Sequence, residues 1–435
     1  MTKKVHIQTF GCQMNEHDSE QIAGLLRTVG YITTDSIDDA DMILLNTCSI
    51  REKAEHKLYS QLGTFRPLKQ AKPDVILGVC GCVAQQEAER IFKRVPFVDL
   101  VLGTKAIPKL PMLVQTLEYR PRVLDVSASA WGDESAQIFR ECRFKAFITI
   151  IRGCDNFCAY CVVPYTRGRE ESRPSAEILR EARRLADDGA VEITLLGQNV
   201  SSYRDGEHGR SSFPRLLRLL NDIDGIKRIR FITAHPKDLT EELVETMAEL
   251  PNVCEHFHLP VQSGSTRILA LMNRKYDRDW YLGRIRLLRA AMPQIAITTD
   301  IIVGFPGERE EDFQATLSLL RAVRYDSIFA FKYSPRPNAK AADFPDRVAE
   351  DVAADRLEQV FALQRDITQA KNTELVGKTL EVLPEMIHPR FPDTLTGRTR
   401  GNHVVTFPGE ADLLGKLVNV RLTEAHPFRL SGIRA

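Results

Sequence analysis

Apolar and polar positions along the chain follow three successive patterns. Over the first 120 or so residues, short apolar runs (VHIQTF, DMILLN, VILGV and DLVLG) read as strands, and stretches such as 52–69 and 85–93 between them read as helices. Strands alternating with helices at this spacing predict an open parallel α/β sheet. Residues 121–140 lack periodicity and are expected to form a linker. A second α/β series begins at Phe147, with six strand candidates: FITII, VEITLL, RIRFIT, HFHL, AITTDIIV and SIFAF. Amphipathic segments such as 176–188, which ends at Gly189, and 239–250 separate most of them, and a helix over 348–371 is expected to close this region. Six βα units predict a partial (β/α)6 barrel with its chemistry at the carboxyl ends of the strands. From about Gly377 the pattern changes to short strands with Gly and Pro turns (TLEVLP, HVVTF, LVNVRLT), a small β-barrel of the kind that binds oligonucleotides. The expected class is therefore α/β, with domains at 1–120, 141–373 and 374–435. No internal repeat or low-complexity tract interrupts it.

Composition narrows this picture only slightly. The chain has 435 residues, too many for one ordinary core, and its 43% hydrophobic and 27% charged residues suit a globular protein. No apolar run approaches the roughly 20 residues needed to span a bilayer, so no membrane partner is expected. The start, Met1-Thr2-Lys3-Lys4, is followed only by a short strand pattern, which implies a cytoplasmic location. A net charge of +1 neither requires nor excludes a nucleic-acid partner.

The nine cysteines change the picture more. An odd number in a large cytosolic chain argues against a disulfide framework and for metal or redox chemistry. Cys154, Cys158 and Cys161 form C-x3-C-x2-C directly after a strand. Three thiolates so spaced can hold three irons of a [4Fe–4S] cube, leaving the fourth open to chelate the amino and carboxylate groups of S-adenosylmethionine. A zinc knuckle is the plainer reading, but zinc sites pair two C-x2-C units or add histidines, and no such partner lies nearby. Cys12, Cys48 and Cys82 each follow a strand of the first domain, so the shared carboxyl edge of a parallel sheet brings them together. Cys80 lies two residues before Cys82 and on an extended strand faces the same side. Cys80, Cys142 and Cys254 read as buried small hydrophobes.

At GCDNFCAYC, followed by VVPYTRGREESRP, the sequence resembles the radical S-adenosylmethionine methylthiotransferases. The resemblance extends through FGCQMNEHDSE, LNTCSIREKAE, LLGQNVSSY and HLPVQSGS, and the last 60 or so residues resemble the TRAM RNA-binding domain. It is strongest toward the branch that acts on isopentenylated tRNA. Other branches modify threonylcarbamoyl-adenosine in tRNA or a ribosomal protein.

The resemblance implies two [4Fe–4S] clusters and S-adenosylmethionine as cofactors. The catalytic cluster falls to Cys154, Cys158 and Cys161, and a second, sulfur-donating cluster to Cys12, Cys48 and Cys82. Gly197, Gln198 and Asn199 would contact the cofactor, as would Tyr160 in the motif loop, although the plain alternative for 197–199 is a βα turn. From strand-end position, Asp300 and Gly304 are candidates for approach to an adenine or ribose, and His258, Gln262 and Ser263 for the active site, with Ser265 and His235. A satisfied turn residue is the plainer reading of each of these histidines. Arg167, Arg169 and Arg173 suit RNA phosphate or a solvated loop, and Arg398, Arg400, Asn402 and His403 beside Phe407 suit an RNA surface.

The implied reaction is methylthiolation of carbon 2 of an adenosine in the anticodon stem-loop of tRNA, after cleavage of S-adenosylmethionine to a 5′-deoxyadenosyl radical. It needs a reducing electron donor and a sulfur source, and a monomer is expected. The non-enzymatic alternative is an iron–sulfur RNA-binding sensor.

Overall fold

A computed structural model describes residues 2–49, 52–127, 138–140, 142–206 and 212–435. The chain forms two compact units, one comprising 1–142, 151–155 and 161–173, the other 143–150, 156–160 and 174–435.

The first unit is built on a parallel sheet of order β2-β1-β3-β4-β5-β6, formed by β1 (Lys3–Phe10), β2 (Tyr31–Thr33), β3 (Met42–Thr47), β4 (Ile76–Gly81), β5 (Leu100–Leu102) and β6 (Val123–Asp125). The period-two alternation of β3 and β4 divides their side chains between two cores. Met42, Leu44 and Cys80 pack with Val5, Leu26 and Leu102 on one face, and Ile43, Leu45, Leu77 and Val79 pack with Leu58, Leu62 and Val101 on the other. Burial on both faces explains why these strands read as continuous apolar runs.

Two strands and two helix breaks depart from expectation. The three-residue edge strands β2 and β6 are too short to show an alternation, and β6 begins inside the segment expected to be linker. Residues 128–137 of that linker lie outside the described residues, as do Ile50 and Arg51 of the LNTCSIREKAE motif. The helix expected over 52–69 is two helices, Glu52–Thr64 and Arg66–Ala71, because Pro67 can start a helix but not continue one. That expected over 85–93 breaks at Ala88, whose φ is +46°.

Beyond this sheet the chain passes through β7 (Lys145–Thr149), which belongs to the second unit, and returns to the first in a ribbon of β8 (Ile151–Arg152) against β9 (Glu171–Ser172).

The second unit contains the six expected parallel strands: β7, β10 (Glu192–Leu196), β11 (Arg228–Phe231), β12 (His256–His258), β13 (Ala296–Val303) and β14 (Ser327–Lys332). They form two three-stranded sheets, β11-β10-β7 and β12-β13-β14. A bridge between Ile229 and Val253 joins the halves, with Ile229 N donating to Asn252 O at 2.6 Å and Cys254 N to Ile229 O at 3.0 Å. Neighbours in space are neighbours in sequence, as in an open (β/α)6 barrel. The Glu350–Thr373 helix packs on β14.

The C-terminal strands β15 (Thr379–His388), β16 (Phe391–Thr399), β17 (Val404–Pro408), β18 (Val418–Ala425) and β19 (Leu430–Arg434) close into a barrel of order β15-β16-β17-β19-β18. The sequence shows only three of them. Pro392, Asp393 and Thr394 hide β16, and Gly432 in LSGIR hides β19. Phe407 is buried in this barrel's core with Val382, Leu395 and Val420.

Charged pairs seat the small barrel on the central one. Arg228, wholly buried, donates to the Glu381 carboxylate at 2.9 Å and to the Arg398 carbonyl at 2.8 Å. Arg230 donates to the Thr399 carbonyl at 2.6 Å, and Arg400 pairs with Glu255 at 2.8 Å. His403 faces Asp326 at 3.5 Å, and Arg398 bonds Asn402 Oδ1 at 3.3 Å. This corrects the expected RNA surface: Arg400 and His403 bind the central barrel, and Phe407 is core.

Candidate functional site: two cysteine centres

The first centre follows from strand register. Phe10 pairs with Thr47 and Thr47 with Gly81, so β1, β3 and β4 end level with one another on adjacent strands. Cys12, Cys48 and Cys82 lie one or two residues beyond those ends. Cys12 caps the Gln13–Thr28 helix and Cys82 opens the Cys82–Glu87 helix, so both thiols sit at positive helix ends. Gly11 and Gly81 permit the approach, since a Cβ at either would stand 2.3 Å from an asparagine Oδ1, that of Asn15 or Asn46.

The three thiols meet: Cys48 hydrogen-bonds both Cys12 and Cys82. Those bonds draw Cys12 down to about 6 and Cys82 to about 7 against burial, with help from the Arg167 guanidinium. Cys48 is raised by the same bonds. Asn15, the last residue of the Gln-Met-Asn run, is fully buried and links Cys12 to β3: its Oδ1 accepts from Cys12 Sγ at 3.4 Å and its Nδ2 donates to Asn46 Oδ1 at 3.2 Å.

Arg167 and Arg173 are buried, so neither forms a solvated RNA-facing loop. Arg167 pairs with Asp18 at 2.7 Å, and only Arg169 is exposed, paired with Asp155 at 2.6 Å. Cys80 belongs to the apolar core beneath, and burial pushes its thiol up to about 12. Cys82 lies beyond the strand, so the same-face argument does not reach it. We expect Cys80→Ser to leave iron content unchanged but cost about 1–3 kcal/mol of stability by burying an unmatched hydroxyl, checked by iron assay and thermal unfolding.

The second centre is the motif loop. Gly153 stands against the Arg169 carbonyl, where a Cβ would be 1.9 Å from the oxygen, so only glycine fits before Cys154. Cys154 N donates to Gly168 O at 3.1 Å. Residues 156–160 are clamped by a turn the sequence did not single out, Met272-Asn273-Arg274. Ala159 N donates to Met272 O at 3.0 Å, and Asn273 Nδ2 to Phe157 O at 2.9 Å. Arg274 donates to Cys158 Sγ at 3.3 Å and to Tyr160 Oη at 3.1 Å. An isolated Asn-Arg pair carries no spacing signal.

The remaining candidates sort by their contacts. Asn199 donates to Asp238 at 2.7 Å and accepts from His235 N at 2.9 Å, so its side chain holds two loops together. Gly197 follows β10 in a buried turn, and Gln198 beside it has a buried Oε1 with no partner among the described residues. His235 caps the next short turn, accepting from Lys237 N at 3.3 Å, and burial holds its ring neutral. His258 sits between Thr298 Oγ1 at 2.9 Å and Asp300 Oδ1 at 3.4 Å, with its ring edge-on to Phe329. Gln262 is buried at φ +75° and its backbone pairs with β13. Ser263 is wholly buried against Thr316, and Ser265 caps the following helix and donates to Asp312 at 2.5 Å. Gly304, at φ +71°, donates its N–H to Glu308 at 2.6 Å.

Thiols are the ligands that iron–sulfur clusters require; Cys12, Cys48 and Cys82 meet in the first unit, and the motif carries three more in sequence. Among the described residues no three His, Cys, Asp or Glu side chains form the shell of a single metal ion. In a cube each thiolate holds its own iron, so convergent thiols suit it without such a shell.

Three family models match the chain: the Radical SAM superfamily over 148–320, the TRAM domain over 373–433, and uncharacterized protein family UPF0004 over 4–103. Two solved radical S-adenosylmethionine enzymes share the fold at low identity. TsrM from Kitasatospora setae has a TM-score of 0.57 and 13% identity, over 78% of this chain and 75% of that one. OxsB has a TM-score of 0.54 and 12% identity, over 83% and 56%. The chain thus shares its fold with radical S-adenosylmethionine enzymes and carries a second group of cysteines in its first unit.

Among curated relatives, the tRNA-2-methylthio-N(6)-dimethylallyladenosine synthase of Geobacter metallireducens is 51% identical over 99% of this chain and 98% of its own. The enzyme of the same name from Syntrophotalea carbinolica is 48% identical over 98% of each. The chain belongs to the family of tRNA-2-methylthio-N(6)-dimethylallyladenosine synthases. No helix among the described residues is long and apolar enough to cross a membrane.

Proposed function

We propose that this chain methylthiolates carbon 2 of N6-isopentenyladenosine beside the anticodon of tRNA. The observation that carries the reading is the meeting of Cys12, Cys48 and Cys82 beyond three adjacent strands, in a chain that also bears the Cys154, Cys158, Cys161 motif. We read the domains as 1–120, 141–373 and 374–435, the location as cytoplasmic and the protein as a monomer. An external electron donor, a sulfur source and a second S-adenosylmethionine, which gives its methyl group to that sulfur, complete the reaction.

When bound, one [4Fe–4S] cluster supplies the electron that cleaves S-adenosylmethionine, and the other supplies the sulfur. The chain's own residues hold and shield. Cys154, Cys158 and Cys161 are assigned to the first cluster and Cys12, Cys48 and Cys82 to the second. Tyr160, Gly197, Gln198, Asn199, His258, Gln262, Ser263, Asp300 and Gly304 are assigned to the cofactor pocket. Within that set Asn199 and Ser263 act by fixing loops, while Gln198, His258 and Asp300 offer polar groups. An anticodon-loop base is unpaired, so no base pair has to break for it to enter the pocket.

For tRNA we favour the tip of the β15–β16 hairpin. Met386 and Phe391 are more than half exposed there, the His388 ring lies 5.0 Å from that of Phe391, and Arg390 is exposed between them. Stacking rings beside a cation form a single-strand platform. Replacing Arg390 and Phe391 together with alanine should weaken tRNA binding about tenfold to a hundredfold in filter binding, and leave RNA-independent 5′-deoxyadenosine formation unchanged.

Substrate choice is tested by giving the reconstituted protein, separately, isopentenylated tRNA, threonylcarbamoylated tRNA and ribosomal protein. Methylthio transfer to the first alone is expected. Transfer to either of the others instead would refute the assignment.

A further inference from the structure

Arg274 is a buried cation with no carboxylate within ion-pair distance among the described residues. Its four hydrogen bonds run from Nη1 to Cys158 Sγ (3.3 Å) and Tyr160 Oη (3.1 Å), from Nε to Tyr276 Oη (2.8 Å), and from Nη2 to the Pro260 carbonyl (2.6 Å). The Tyr276 ring lies 5.3 Å from the guanidinium carbon and is itself stacked on Trp280 and Tyr281. The guanidinium is therefore held rigidly at its other edges while Nη1 addresses the sulfur.

A guanidinium does not give up its proton, and burying it without an anion is costly. Of its four acceptors, the Cys158 thiol is the one that becomes a thiolate on binding iron. Arg167, also buried and beside the other cysteine centre, contrasts with it, since Asp18 already neutralises it at 2.7 Å.

We infer that Arg274 is the fixed counter-charge of the iron–sulfur centre at Cys158, a positioning residue that favours its one-electron-reduced form. The inference rests on the reading of Cys158 as a cluster ligand. Reduction takes one electron from an external reductant, breaks no bond and leaves the centre more negative by one charge. A cation held at a ligand sulfur stabilises the reduced form more than the oxidised one.

The test is a redox titration, followed by electron paramagnetic resonance, of reconstituted wild-type protein, Arg274→Gln and Arg274→Lys. Arg274→Gln should lower the reduced-to-oxidised ratio of the Cys158 cluster about tenfold or more at a fixed potential. Tenfold is 59 mV for one electron. The cluster on Cys12, Cys48 and Cys82 should not move and serves as internal reference, a selectivity that general loosening would not give. Arg274→Lys keeps the charge but cannot span all four acceptors, so a fall of about threefold is expected, and this variant carries the test if the glutamine protein fails to hold the cluster. An unchanged midpoint in a variant that retains both clusters overturns the inference. Wild-type protein that assembles no cluster at the motif would overturn the functional reading itself, and this inference with it.

Discussion

Replacing Cys154, Cys158 or Cys161 singly with alanine is expected to abolish 5′-deoxyadenosine formation from S-adenosylmethionine. Reductive cleavage of the sulfonium needs an electron delivered at the bond, and these three cysteines are the ligands assigned to the cluster that delivers it. The loss should therefore be total within assay limits, on the order of 10⁶-fold or more. The protein should still fold. Cys158 is buried, but it lies in a loop whose main chain is held by Met272 and Asn273, and alanine preserves those bonds. Iron and sulfide content should fall by about half relative to wild type, since Cys12, Cys48 and Cys82 are untouched. Chromatographic assay of 5′-deoxyadenosine with iron and sulfide analysis checks both halves. Wild-type activity in any of the three variants would contradict the assignment of that cysteine.

Alanine at Cys12, Cys48 or Cys82 should have a different effect. S-adenosylmethionine cleavage continues, but methylthio-tRNA is lost, again to background. Cys48 bonds both of the other thiols, so losing any one leaves two ligands for a centre that requires three. The motif loop's anchors at Gly168, Met272 and Asn273 involve none of these cysteines. Measuring 5′-deoxyadenosine and modified nucleoside in the same reaction separates the two centres. Loss of both products, in protein that keeps the motif cluster, would show that the second centre does more than supply sulfur.

Much of this was legible in the sequence because strand burial and strand ends are local properties. Leu44 and Leu45 point to opposite cores, so β3 reads as an apolar run, and the residue after such a run falls at the sheet's carboxyl edge. That placed Cys12, Cys48 and Cys82 together without knowledge of strand order. Partner choice, in contrast, was not legible. Arg400 and His403 look like an RNA-binding pair until the fold brings Glu255 and Asp326 to them from more distant parts of the chain. Arg167 looked like part of a basic run until Asp18 met it. Arg274 left no trace, since its meaning depends on Cys158, Tyr160 and Pro260 arriving around it. Charge alone says that a partner exists; only the fold says which.

The most direct test of the central claim is mass analysis of nucleosides from isopentenylated tRNA, incubated anaerobically with protein carrying both clusters, reductant and S-adenosylmethionine. The expected product is an N6-isopentenyladenosine heavier by one methylthio group in place of hydrogen, with the substitution at carbon 2, and 5′-deoxyadenosine formed alongside it. Unmodified nucleoside and no 5′-deoxyadenosine, from protein shown to hold both clusters, would contradict the account and favour an iron–sulfur RNA-binding sensor.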